Sequence, residues 1–134
     1  MDEPKTDAEW AAAVPVLRQL WSDAEPEFVR SWADEDDYRL FGCFADGTLV
    51  AVAGVPVQRV LHHARHAWIH DSVVDEAHRS AGYGTALLDF VEDWARERGC
   101  EYVALAVRSG NDDALRFYEG AGLDQWSHVI ETEL

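Results

Sequence analysis

Arg79-Ser80-Ala81-Gly82-Tyr83-Gly84-Thr85 is the stretch of this 134-residue chain whose residue types point most directly to chemistry. Two glycines one residue apart, just ahead of a helical pattern, let the backbone approach a ligand with no Cβ in the way. A helix opening there presents N–H groups without intrahelical partners and the positive end of its dipole. Together these suit an anion, and a diphosphate well. Arg79 and the hydroxyls of Ser80 and Thr85 can add side-chain donors. Taken alone, Gly-x-Gly is as readily a plain chain turn with Arg79 in solvent. The strand pattern ending at Val73-Val74 before it and the apolar helix behind it favour the phosphate loop. A dinucleotide site is excluded on two counts. Its third glycine would fall at Leu87, and its acidic ribose partner would follow the next strand, which ends in Val107-Arg108-Ser109.

Other side chains could move protons. His70 and Asp71 are adjacent in an extended pattern and so point to opposite faces; only one of them can look into a given cleft. A histidine titrates near neutrality and suits a general base, whereas an aspartate suits a cationic amine. A hydrogen-bonded or exposed histidine explains His70 without catalysis. His62-His63-Ala64-Arg65-His66 carries ligand atoms, but a solvated turn is the preferred reading and no metal is expected. Cys43 and Cys100 read as two reduced, packed thiols, since neither has a neighbour that would lower its pKa.

Elements to position these residues follow from hydrophobic periodicity. Trp10, Ala13, Val14, Leu17, Leu20 and Trp21 recur at spacings of three and four, which predicts a helix from Asp7 to about Ser22, kinked or divided at Pro15. A shorter helix is predicted over Glu25–Ala33. Tyr38–Phe44 and Thr48–Leu61 read as strands of a hairpin turned by Asp46-Gly47. Ala67–Val74 reads as one further strand. Leu87, Leu88, Val91, Trp94 and Ala95 mark one face of a helix over Ser80–Arg98, ended by Gly99. Tyr102–Val107 reads as a buried strand, Asn111–Gly120 as a short helix and His128–Glu133 as a last strand. This order predicts a single α/β domain over residues 1–134, with a mixed sheet and helices on its faces.

Composition removes several classes of function. Asp and Glu total 26 against 11 Lys and Arg, a formal charge of −15, which repels phosphate and disfavours nucleic acid as a partner. No run reaches the roughly 18 apolar residues of a membrane helix. Met1-Asp2-Glu3-Pro4-Lys5 is acidic and lacks a signal pattern, so a cytoplasmic protein is expected. The acidity fits either steering of a cationic acceptor or the carboxylate coat of a halophile. Its spread along the whole chain favours the second reading, a salt-requiring protein.

With these motifs in place, the sequence resembles the GNAT superfamily of acetyl-CoA-dependent N-acetyltransferases over roughly residues 38–134. Arg79 to Gly84 matches that family's (Gln/Arg)-x-x-Gly-x-(Gly/Ala) signature. Asn111, Phe117-Tyr118-Glu119 and Gly122-Leu123 match its second motif, in the family's order and spacing. The resemblance implies a bulge in the strand Ala67–Val74 that splays it from the next one and opens a V-shaped cleft for the thioester. Ser72, Val73 and Val74 would then offer backbone groups to the pantetheine arm, as if to an added strand. Arg79, Ser80, Ala81, Gly82, Tyr83, Gly84 and Thr85 would hold the diphosphate. Asn111 would contact the pantetheine side, and Tyr118 would protonate the departing thiolate; a phenol, with its reference pKa of about 10, keeps its proton at neutral pH. Phe117 would pack the helix on the sheet.

Two departures from the family stand out. Members that modify protein N-termini carry a Glu base five residues before the Asn, and Ala106 stands there. A base must come from elsewhere, with His70 the candidate, or act through water. The family also opens with a strand, for which Met1–Thr6 offers no pattern. The expected activity is direct transfer of acetyl from acetyl-CoA to a primary amine of a small-molecule or peptide acceptor, with homodimerisation open. The acceptor would be selected by Trp21–Trp32 and Gln58–His66, whose tryptophans fit core packing as well as a pocket wall. The alternative is a non-catalytic acyl-CoA-binding regulatory module; Ala106 favours it, and Asn111 and Tyr118 oppose it.

Overall fold

In the computed structural model, residues 7–35 and 37–134 are described, so the absence of a first strand over Met1–Thr6 concerns residues outside that range. The described chain forms two compact units, one of residues up to Ala104 and one of Leu105–Leu134.

The first unit opens with helix α1, Asp7–Leu20. Trp10, Ala13, Val14 and Leu17 line its buried face. Pro15 sits inside the helix without ending it. Its ring is exposed, so the carbonyl it leaves without a partner can be hydrated. Arg18 Nε donates to the Ala24 carbonyl at 2.9 Å and ties down the exit from the helix. The predicted second helix is α2, Pro26–Ser31, followed by a 3-10 turn over Trp32–Asp34.

Strands β1, Tyr38–Ala45, and β2, Thr48–Val60, form the expected antiparallel hairpin. Asp46 and Gly47 both have positive φ, 52° and 80°, which matches the twist of a two-residue hairpin loop. β2 is the axis of the sheet. Val50, Ala51, Val52, Ala53 and Val55 are almost fully buried, which requires cover on both faces. On one face Leu40, Val52 and Val73 join Trp10, Leu17 and Val29 in a single core. On the other, Phe41 meets the rings of Phe90 and Trp94 at 5.2 and 4.9 Å.

The predicted strand Ala67–Val74 is interrupted at His70. It forms β3, Ala64–Ile69, and β4, Asp71–Val74. Val57 pairs with Ala67 and Gly54 with Asp71, so Trp68, Ile69 and His70 face only Val55 and Pro56. That extra residue is a β-bulge, which bends the strand and breaks its ladder.

Helix α3 runs over Tyr83–Glu97. It starts three residues later than predicted because Ser80 and Gly82 have φ of 67° and 86°, outside the right-handed helical region. Leu87, Leu88, Val91, Trp94 and Ala95 form its buried face, as the periodicity requires. Gly99, at φ 77°, ends it, with Cys100 N–H on the Ala95 carbonyl and Gly99 N–H on that of Arg96, a Schellman cap. Strand β5, Tyr102–Leu105, is half-buried rather than buried and completes the sheet order β1-β2-β3-β5, with β4 on β2. The result is the mixed α/β fold expected.

In the second unit, α4 spans Asp112–Gly120. The predicted last strand, His128–Glu133, does not form: these residues carry no regular structure, and Ile130 lies almost fully exposed. A ladder needs a neighbouring strand, and alternation of side chains alone does not create one; within its own unit the segment has none.

Candidate active site

The bulge at His70 separates two partnerships. β4 pairs with β2, whereas β5 is the neighbour of β3. The second edge of β4 therefore faces no strand among the described residues, and the predicted Ser72-Val73-Val74 segment lies on it. Val73 turns its side chain into the core, while Ser72 and Val74 are half-buried.

The loop that leaves this strand is anchored by α1. Gln19 Nε2 donates to Asp75 Oδ1 at 2.6 Å, and the N–H of Glu76 donates to Gln19 Oε1 at 2.8 Å. His78 Nδ1 lies 2.9 Å from the other Asp75 oxygen. Hydrogen bonds from Gln19 and then from His78 hold the Asp75 carboxyl below the usual carboxylate range. Arg79 Nε donates back to the Val74 carbonyl at 3.2 Å, so the guanidinium is held beside the strand end with its base on protein and its fork exposed.

Ser80 and Gly82 then turn the chain through left-handed conformations into α3. The helix start carries no side-chain cap. The first bond of the turn runs from Ala86 N–H to the Gly82 carbonyl at 3.1 Å. Helix geometry leaves the N–H groups of Tyr83, Gly84 and Thr85, which precede it, without intrahelical partners. Ala81 and Thr85 are exposed, and Tyr83 and Gly84 half-buried. Three consecutive amides at the positive end of a helix are an anion-binding arrangement.

Beside the bulge, His70 is exposed and Asp71 is half-buried on the opposite face. Asp71 accepts from two aromatic donors, Tyr38 Oη at 2.6 Å and the indole N–H of Trp21. Burial, and then the Asp71 charge, push the Tyr38 phenol far above its usual range, so it stays a donor. Trp32 packs on Tyr38 with ring centroids 5.1 Å apart. The tryptophans thus separate: Trp10 is core at 8% exposure, while Trp21 and Trp32 are 43% and 39% exposed beside this carboxylate. Tyr38 and Gln19 had no signal in the sequence, because each acts on a residue more than thirty positions away.

In the second unit, Asn111 caps α4, its Oδ1 accepting from Ala114 N–H at 3.2 Å. That bond leaves the amide NH2 as a separate donor group. Tyr118 is half-buried and meets Phe117 edge-on at 5.0 Å. Cys43 and Cys100 are both free thiols. Burial pushes the Cys100 thiol up despite Arg65, which fits a structural rather than a nucleophilic cysteine.

Comparisons with known proteins bear on the family and the fold. The acetyltransferase (GNAT) family model matches residues 7–123, reaching further towards the N-terminus than the sequence motifs do and running across both units. The uncharacterized N-acetyltransferase YhdJ of Bacillus subtilis (strain 168) is 30% identical over 138 residues, covering 100% of this chain and 94% of its own. The aminoglycoside N(6')-acetyltransferase type 1 of Stenotrophomonas maltophilia is 26% identical over 93% of this chain and 86% of its own. Among solved structures, the aminoglycoside N-acetyltransferase AAC(6')-Iy in complex with CoA superposes with a TM-score of 0.87 at 16% identity, over 100% of this chain and 97% of that one. A fold shared across that distance, a family model over most of the sequence and a glycine turn where the signature demands it leave one assignment: the chain belongs to the acetyltransferase (GNAT) family and is an acetyl-CoA-dependent acyltransferase.

Proposed function

We propose that this enzyme transfers acetyl from acetyl-CoA directly to a primary amine of a cationic small molecule or peptide, and that its two units act as one domain over residues 1–134. The observation that carries the reading is the uncapped start of α3, reached by a short loop from a strand with one edge unpaired among the described residues. The amides of Tyr83, Gly84 and Thr85, with Arg79, Ser80, Ala81 and Gly82, receive the diphosphate. Ser72, Val73 and Val74 pair with the pantetheine arm, and the amide of Asn111 contacts the same arm.

In the reaction the neutral amine attacks the thioester carbonyl, the C–S bond breaks, and the sulfur leaves as thiolate. Tyr118 gives that thiolate its proton. The proton lost by the amine passes to water, or to His70 if that residue rather than Asp71 faces the acceptor, so the products are an amide and free CoA. With Asp71 facing the acceptor, its carboxylate, bonded by Trp21, draws the ammonium group before deprotonation, and Trp32 lies on the neighbouring Tyr38. The names of two similar proteins, both aminoglycoside acetyltransferases, support a polycationic acceptor, as does the formal charge of −15.

A thiol-release assay with acetyl-CoA over aminoglycosides, polyamines, amino acids and lysine peptides, run in high salt, tests the reading. CoA release with at least one cationic amine is expected. Binding of acetyl-CoA without release for any amine would overturn it.

A further inference from the structure

The β2–β3 turn gathers three imidazoles that acetyl transfer does not use. We propose that His62, His63 and His66 bind one divalent transition-metal ion that prefers nitrogen ligands: zinc, nickel or copper. One ring nitrogen from each histidine lies within 4.8 Å of the other two. His63 Nδ1 and His66 Nδ1 are 3.1 Å apart. Tetrahedral coordination at metal–nitrogen distances of about 2.0–2.1 Å places ligand nitrogens roughly 3.3–3.4 Å apart. Two of the three are therefore already close to ligand spacing.

The turn itself produces this convergence. Val60 pairs with Ala64, leaving Leu61, His62 and His63 as a three-residue loop. Ala64 takes the left-handed conformation, φ 60°, that closes such loops, and Arg65 N–H bonds the His63 carbonyl at 2.7 Å. Two of the rings are oriented by other protein groups. His66 is only 4% exposed and packs on Trp68 at 5.6 Å, and His63 stacks on Tyr102 at 4.0 Å with the planes 18° apart. Ligands already oriented by neighbours lose less freedom on binding. His62 is exposed. Three nitrogen donors without a carboxylate reject calcium and magnesium, which take oxygen. The fourth position is open to water. An ion there joins the turn to β3 and clips the end of the hairpin, four residues along the strand from His70.

The sequence reading of a solvated turn is the competing outcome, with the 3.1 Å contact serving only as a hydrogen bond between two rings. Untagged, chelator-treated full-length chain is titrated calorimetrically with zinc, nickel, copper and magnesium chlorides. One equivalent of zinc, nickel or copper should bind, magnesium should not, and the melting temperature should rise with zinc. Because His66 is buried and its replacement would disturb the packing of the hairpin, the comparison uses the exposed His62→Ala, which should melt like wild type without metal and bind zinc at least tenfold more weakly. Absence of binding by all three ions, or equal zinc affinity in His62→Ala, which would show that the three histidines do not act together, overturns the site.

Discussion

Gly54 lies directly beneath the phenol of Tyr38: a Cβ on that glycine would stand 1.7 Å from the tyrosine oxygen. The empty position lets the Tyr38 hydroxyl reach Asp71 at 2.6 Å across the hairpin. Gly54→Ala should therefore displace the ring and break this bond, destabilising the protein by about 1–3 kcal/mol. Urea unfolding measures it, and a midpoint equal to wild type would show that the ring can move aside freely.

Asp71 is the proposed holder of the acceptor's charge. Asp71→Asn keeps the shape and a carbonyl acceptor but removes the charge. Hydrogen bonds to charged groups contribute about 1.5–3 kcal/mol, so KM for a cationic acceptor should rise roughly ten- to hundredfold. Acetyl-CoA affinity should not change. Steady-state kinetics with the best amine from the panel decide the matter; an unaltered KM removes Asp71 from recognition.

Cofactor binding and chemistry should separate between two other variants. Gly84 lies in the first turn of α3, where valine has a higher helix propensity than glycine yet would crowd the proposed diphosphate site. Gly84→Val should weaken CoA binding more than tenfold by calorimetry. Tyr118→Phe should bind CoA normally and lower kcat by about tenfold or more, since positioned acids contribute 10²–10⁴-fold. Wild-type turnover in Tyr118→Phe would leave the thiolate to take its proton from water.

Asp75 links the loop to pH. Its carboxyl sits below the usual range in the folded protein, with Gln19 the first cause and His78 the second. The folded value is lower than the unfolded one, so the contribution is complete above about pH 4 and is lost as pH falls through the depressed value. Gln19→Leu removes the main cause. Between pH 5 and pH 3, urea stability should fall more steeply in wild type than in Gln19→Leu, and parallel slopes would show that Gln19 does not set the shift.

Twenty-six acidic residues against eleven basic ones leave a strong self-repulsion. The screening length shortens from about 10 Å at 0.1 M salt to about 3 Å at 1 M. Melting temperature should climb over that range. A flat series would show that the carboxylates are arranged without mutual strain and that the salt-requiring reading is wrong.

Features governed by neighbouring residues could be read directly from the chain. Asp46-Gly47 specified its hairpin turn because the positive φ values it needs are cheap for those residue types. Gly99 ended α3 for the same local reason, and the buried face of α3 matched its 3.6-residue period. The signature from Arg79 to Gly84 located the glycine turn ahead of α3, though the helix began later than its hydrophobic pattern suggested, because Ser80 and Gly82 turn left-handed.

What only the tertiary structure decided were pairings between distant segments. A bulge in this strand was implied by the family resemblance, but its place at Trp68–His70 arises from register against β2, which no property of those three residues announces. Gln19 holds Asp75, and Tyr38 and Trp21 hold Asp71, across intervals of 33 to 56 residues. The three histidines formed a cluster only once the β2–β3 turn had folded their rings together. Backbone preferences act within a few residues and are written in the local sequence, whereas hydrogen-bond partners across a sheet exist only after the chain has closed on itself.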